Sequence, residues 1–320
     1  MGDHDSLFKR AFSVPAHAAG ELRSVLPPAI TDRLDLDALA LVPATFIDAE
    51  MGHRHADLLF TAPFEGRRCY VYLLFEHQSA PDPLMPWRVL TYQQRIWASV
   101  LRAEPERTTL PPIITVVVHH GPDGWQAPRT FHAMIEGLDG LPELERHVPD
   151  FELIVDDLCA VEDEDLQRRP LAPFPKLTLW LLRDGRDVER LLDHLAAWAA
   201  TLERLARDDP QREDTLVVLR YILRVAGPTP YEHLRQRVTD VAPTFEEVMA
   251  SAEQYFIEQG IEKGIEKGTR RTILRLLRTR FGPLEPAIEA RVEAASSDDL
   301  DRWTERIIVA KTLDDVFAPA

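Results

Sequence analysis

Two β-rich runs joined by a glycine-containing turn constrain this chain most. Residues 56–79 read ADLLFTAPFEGRRCYVYLLFEHQS. The runs 56–62 and 68–77, the second containing Tyr70, Val71, Tyr72 and Phe75, have the aromatic and β-branched content of strands. Gly66-Arg67 suits a two-residue type II′ hairpin turn. Folding there sets Phe64 against Cys69, Ala62 against Val71 and Asp57 against Glu76. Glu76 and Gln78, two apart on one strand, share a face. Three polar groups then converge at the end of an apolar hairpin, with two like charges directly opposed. Pro63 cannot donate to a ladder, so a wider turn or a bulge is the competing geometry.

A hard divalent cation would resolve that repulsion. Mg²⁺ is commonly held by one or two carboxylates, with waters and phosphate oxygens completing its shell. It polarises a phosphoryl group and acidifies a bound water. The Gln78 amide can orient such a water without acting as a strong base. The chemistry suggested is phosphodiester hydrolysis. The other reading of Asp57 and Glu76 is that both are solvated acids flanking strands.

Elsewhere the pattern is mixed. Residues 16–26 read as an amphipathic helix stopped by Pro27-Pro28, and 44–50 as a short strand. Met85, Val89, Ile96 and Val100 form a helical stripe over 84–103, and 111–121 is a buried strand run. The order α, β, β, β, α, β fills about 120 residues. From 141 to about 250 the chain reads as mainly helical, with a break near Gly185. A long helix from 251 closes at Gly282-Pro283, and a last helical stretch runs from Leu284 to about Val316. Three regions follow: 1–140, 141–250 and 251–320.

Cys69 and Cys159 give no disulfide framework or metal knuckle. Without an apolar leader or a membrane-length run, the expectation is a cytoplasmic protein with no membrane partner. The net charge of −16 argues against a nucleic-acid partner, but it is uneven: residues 141–250 hold 14 Lys+Arg against 23 Asp+Glu.

The blocks HDSLFKRAF, SVLPPAI, RHADLLF, YVYLLFEHQSAPDPLMPWRVLTYQQRIW and IITVVVHHGPDGW, in that order over residues 4–135, resemble the Rpn family of recombination-promoting nucleases, also described as transposase-like. The resemblance implies an α/β fold, a PD-(D/E)XK nuclease-like αβββαβ core followed by mainly helical regions. It implies Asp57 and Glu76 as ligands of Mg²⁺ or another hard divalent cation. Gln78 stands where the superfamily usually has Lys and would position the attacking water. The family's Arg and Tyr in the next helix fall on Arg88 and Tyr92, expected at the DNA substrate. They are four apart and share a helix face. The packing alternative is Arg88 paired with a nearby acid and Tyr92 in the core. The activity implied is metal-dependent DNA endonuclease cleavage linked to recombination, in mobile-element or defence biology. The alternative is a non-catalytic DNA-binding or assembly protein on a degenerate nuclease fold. The stretch from Thr272 resembles a helical domain often attached to such nucleases and implies no mechanism.

His53, His55, His119 and His120 raise the question of zinc, but adjacent strand residues face opposite ways, and solvated or hydrogen-bonded histidines fit better. IEQGIEKGIEKG, 257–268, aligns Ile257, Ile261 and Ile265 beside Gly260, Gly264 and Gly268, a seam suited to homo-oligomer formation. Each glycine costs about 1 kcal/mol relative to Ala, so close helix packing is the expected return. An exposed charged linker helix is the other reading. Arg270, Arg271, Arg275, Arg278 and Arg280 form the most basic stretch, a candidate for DNA-backbone contact or for pairing with the acidic middle segment.

Overall fold

The computed structural model describes residues 3–43, 57–76, 82–138, 140–225, 231–293, 295, 297–310 and 312–317. Helices α1 (Asp3–Phe12), α2 (Pro15–Val25) and α3 (Pro28–Thr31) lead to strands β1 (Ala40–Leu41), β2 (Leu58–Phe64) and β3 (Arg67–Glu76). Helix α4 (Met85–Ala103) precedes β4 (Ile113–His119), and α5 (Pro142–Glu145) precedes β5 (Ile154–Asp157). Then come α6 (Asp163–Arg168), α7 (Pro173–Asp184), α8 (Val188–Asp208), α9 (Glu213–Val225) and α10 (Tyr231–Val241). The 37-residue α11 (Phe245–Phe281) is followed by α12 (Pro286–Glu293), α13 (Ser297–Val309) and α14 (Leu313–Phe317). This is a mixed α/β architecture, a five-stranded sheet and then a mainly helical half. The chain divides into two compact units, Met1–Met249 and Ala250–Ala320.

The sheet order is β1-β2-β3-β4-β5. The first three strands are antiparallel, and β3, β4 and β5 are parallel. The stripe of Met85, Val89, Ile96 and Val100, with Tyr92, packs α4 onto Leu59, Tyr70, Tyr72, Leu74 and Val117. Phe60, Val71, Leu73, Val116 and Val118 alternate with that set and are fully buried on the other face. A sheet covered on both sides needs such continuous apolar strands.

The hairpin turns one residue earlier than Gly66-Arg67. Phe64 pairs with Arg67, Ala62 with Cys69 and Leu58 with Leu73. The central residues are Glu65 (φ 49°) and Gly66 (φ 75°), both positive as in a type I′ turn, whose twist matches the flanking strands. The partners expected for Phe64 and Ala62 therefore move two places along β3, and a shift of two keeps each residue on its face. The turn-closing pair 64–67 is hydrogen-bonded, so 63–68 is a non-bonded pair and Pro63 costs the β2–β3 ladder nothing. Its carbonyl accepts the Asp35 amide at 2.8 Å.

Strand β5 is a further correction. It lies in the segment read as mainly helical, and at four residues it has too little periodicity to announce itself. The break at Gly185 is present: it caps α7, and a Cβ there would stand 2.9 Å from the Tyr221 ring. The strand expected over 44–50 lies outside the described residues. Gly282, at φ 88°, ends α11, and the last helical stretch is three helices rather than one.

In the second unit Ile273, Leu277, Val292, Leu300, Trp303, Ile307, Val316 and Phe317 form the core. Arg280 donates to the carbonyls of Ile307 (2.7 Å) and Ala310 (2.6 Å) at the end of α13, and Arg270 to that of Ala295. Arg278 pairs with Glu289 at 2.6 Å. These three arginines make contacts within their own unit.

Candidate functional site

Asp57 stands one residue before β2, where the chain enters the sheet. Its Oδ2 accepts a hydrogen bond from the Tyr72 hydroxyl at 2.6 Å. Tyr72 lies mid-way along β3, between Leu59 and Thr115, and is 1% exposed. Its ring meets Tyr92 edge-on, centroids 5.5 Å apart. Thus α4, β3 and the start of β2 are tied through three consecutive side chains.

The register fixes where position 76 lies. Strand alternation puts 70, 72 and 74 on the face covered by α4. Continuing the ladder past Leu58–Leu73 brings Asp57 opposite Leu74, diagonal to 76 rather than directly opposed. Diagonal neighbours lie about 7–8 Å apart, a spacing that longer side chains span. Glu76 ends β3 and pairs with His119 of β4, which pairs in turn with Asp157 of β5. The Glu76 side chain, and Gln78 altogether, lie outside the described residues.

Arg88 and Tyr92 sit one turn apart on α4. Arg88 pairs with Asp82 at 3.3 Å, and Tyr92 is 4% exposed within the core. Tyr92 thus reaches the Asp57 carboxylate through Tyr72.

His119 and His120 face opposite sides of the sheet. His119 accepts the Gly121 amide at Nε2 (3.1 Å) and packs edge-on against Trp125. The Trp125 amide donates to Asp157 at 2.8 Å. His120 Nδ1 bonds the Leu182 carbonyl at 2.9 Å, and its ring lies 5.2 Å from that of His4. Burial pushes the His120 pKa down to about 3, helped by the charges of Arg186 and His4. These are hydrogen-bonded core histidines; His53 and His55 lie outside the described residues.

A second group of candidate ligands escaped the sequence reading. Asp163, Asp184 and His194 each place a ligand atom within 4.8 Å of the others, a set that could hold a metal ion. As found, the buried Arg183 occupies it, donating to Asp163 and, at 2.8 Å, to both Asp184 oxygens. Arg190 also pairs with Asp184, at 3.0 Å, and Trp198 donates to Asp163 at 3.1 Å. Burial acts to raise the Asp163 carboxyl pKa, but the Arg183 and Trp198 hydrogen bonds with the Arg183 and His194 charges outweigh it and hold it low. A cation there would compete with a guanidinium already neutralising both acids, so this cluster fits a resident ion poorly. Asp57, one residue before β2, offers a hard carboxylate oxygen, the donor type that Mg²⁺ takes. The 163–184–194 spacing belongs to no motif; only the packing of α6, α7 and α8 brings the three together.

Fold and site define a mixed α/β protein with a partly buried carboxylate held at one end of its sheet. Over residues 2–213 the chain matches the family described as "Putative transposase, YhgA-like", and it belongs to that family. It is 25% identical over 252 residues to Recombination-promoting nuclease RpnD of Escherichia coli O157:H7, covering 78% of this chain and 93% of the relative. It is 27% identical over 260 residues to RpnC of Escherichia coli K12, covering 81% and 82%. It is also 21% identical over 258 residues to an inactive recombination-promoting nuclease-like protein, RpnE of the same strain, covering 80% and 82%. No solved structure matches.

Proposed function

We propose that this protein is a metal-dependent DNA endonuclease built on a PD-(D/E)XK-type core. In this reading Asp57 and Glu76 bind Mg²⁺ or another hard divalent cation, and Gln78 orients the attacking water. Arg88 is the residue of α4 able to grip a DNA phosphate through two N–H groups, while Tyr92, buried in the core, backs Tyr72. The bound ion supplies Lewis-acid polarisation of the phosphoryl group and a more acidic water. Gln78 contributes position and no charge, so the carboxylate-held ion carries most of the electrostatic stabilisation. The cellular role is DNA cleavage linked to recombination, and the chain self-associates through the 257–268 seam.

The observation that carries this reading is the register. The β2–β3 ladder ends at Leu58–Leu73, one residue from Asp57, and Glu76 closes β3; this supports the reading in a family whose named relatives include recombination-promoting nucleases. The test is plasmid nicking with and without Mg²⁺ by wild type and Asp57→Ala. Mg²⁺-dependent nicking lost in the variant supports the reading; equal nicking by both proteins rejects this site. A second reading, a DNA-binding or assembly protein without catalysis, is favoured by the inactive relative and by the net charge of −16. Mg²⁺-independent DNA binding with no nicking by wild type is its signature.

A further inference from the structure

We propose that Tyr72 is a positioning residue: its hydroxyl sets the orientation in which Asp57 presents its carboxylate to a divalent cation. This rests on the reading of Asp57 as a metal ligand and adds to it the group that holds that ligand in place.

Asp57 precedes the first ladder pair of β2, Leu58 with Leu73. It thus stands just outside the paired part of the strand. Its carboxylate is held by a side chain, the Tyr72 hydroxyl at 2.6 Å. That length belongs to charge-assisted O–H···O⁻ bonds, which are about twice as strong as neutral ones.

The phenol is itself rigidly mounted. Its backbone lies in the middle of the sheet, bonded between β2 and β4. Its ring is enclosed with Leu59, Leu74, Met85 and Val89, with Tyr92 closing the edge. A phenylalanine would fill that apolar volume equally well. A tyrosine hydroxyl carried into it costs desolvation unless it finds a strong acceptor, and Asp57 supplies one. A carboxylate has about four acceptor sites; one engaged by a fixed donor sets the plane of the group and leaves the others for a cation. Partners of this kind govern ligand orientation, and their loss typically costs 10–100-fold in metal affinity.

The experiment is Mn²⁺ titration by calorimetry on the full-length chain, for wild type, Tyr72→Phe, Tyr70→Phe and Asp57→Ala, with the Mg²⁺ dependence of nicking read in parallel. Tyr72→Phe is expected to weaken Mn²⁺ binding about 10–100-fold. The Mg²⁺ concentration for half-maximal nicking should rise by the same factor, with most of the rate recovered at saturating metal. Tyr70→Phe, which removes a hydroxyl from the same face of the same strand, is expected to leave Mn²⁺ affinity unchanged. A purely structural role would lower the melting temperature and leave metal affinity of the folded protein intact, and that result overturns the inference. Unchanged affinity in Tyr72→Phe, with binding abolished in Asp57→Ala, also overturns it and leaves the ligand reading standing. Equal Mn²⁺ binding by wild type and Asp57→Ala removes the ligand reading and this inference with it. Should Tyr72→Phe not fold, 3-fluorotyrosine at position 72 keeps the ring and strengthens the donor. Metal affinity is then expected to be retained or to rise, and a fall of the size expected for loss of the hydroxyl counts against the role.

Discussion

Arg169 grips Asp156 through two hydrogen bonds, 2.7 and 2.8 Å long, and reaches Glu21 at 2.5 Å with the same guanidinium. The triad ties α2 and β5 to the residue that follows α6. All three side chains are buried or nearly so, and removing one partner of a buried pair leaves an uncompensated charge. Arg169→Met should therefore lose about 3–5 kcal/mol, read by urea unfolding. A loss near zero would mean that the triad is no more than a neutral replacement for apolar packing.

Glu21 makes the triad sensitive to pH. Burial raises its pKa well above 4.5, the Asp156 charge adds to this and Arg169 opposes it. The folded protein therefore keeps a proton that the unfolded chain releases. The contribution of this group is complete below pH 4.5 and lost as pH rises through the elevated value. Glu21→Gln, neutral throughout, should flatten that decline. Melting temperatures from pH 4 to 8 check it; parallel curves for variant and wild type would refute it.

His120 acts in the opposite sense. Its pKa falls from 6.5 to about 3, so the folded protein resists a proton that the unfolded chain accepts. Its contribution is present above pH 6.5 and lost as pH drops towards 3. At 1.36 kcal/mol per unit, this amounts to at most about 5 kcal/mol. His120→Asn retains a donor for the Leu182 carbonyl and should blunt acid unfolding between those limits. An acid-unfolding midpoint that does not move excludes His120 as the sensitive group.

Arg183 decides what the Asp163–Asp184–His194 cluster is. It is an ion-pair network if Arg183→Leu costs about 3–5 kcal/mol, the expected result for the buried Asp184 and the half-buried Asp163 losing their cation. A metal centre would make the arginine dispensable, and its removal neutral or stabilising. Chemical denaturation with and without added Mg²⁺ separates the two: only a metal centre recovers the loss when the ion is present.

The arginines of α11 divide by role. Arg280 caps the end of α13 and should act on stability: Arg280→Ala is expected to lose roughly 1–3 kcal/mol. Arg271 and Arg275 are exposed on the same helix. Replacing both with Ala should weaken DNA binding at all sequences and reduce the salt dependence by about two phosphate contacts. Salt-titrated fluorescence anisotropy reads both effects, and identical slopes would clear these residues of backbone contact.

Some of the architecture was legible without coordinates, for a physical reason. The stripe over α4, the apolar run of β4 and the break at Gly185 are written in neighbouring residues, because side-chain periodicity and backbone freedom act over one or two turns. Asp57 and Glu76 at the ends of adjacent strands were readable for the same reason, as was the shared helix face of Arg88 and Tyr92. Register was not. The turn needs positive φ at Glu65 as well as Gly66, and moving it by one residue changes every partner across the hairpin. Four-residue β5 is a strand because β4 offers it an edge, which its own composition does not announce. The Tyr72–Asp57 bond, the Arg183 network and the Arg169 triad join residues 13 to 148 positions apart. No local propensity specifies such meetings; packing of helices on both faces of the sheet brings these charges and hydroxyls into contact.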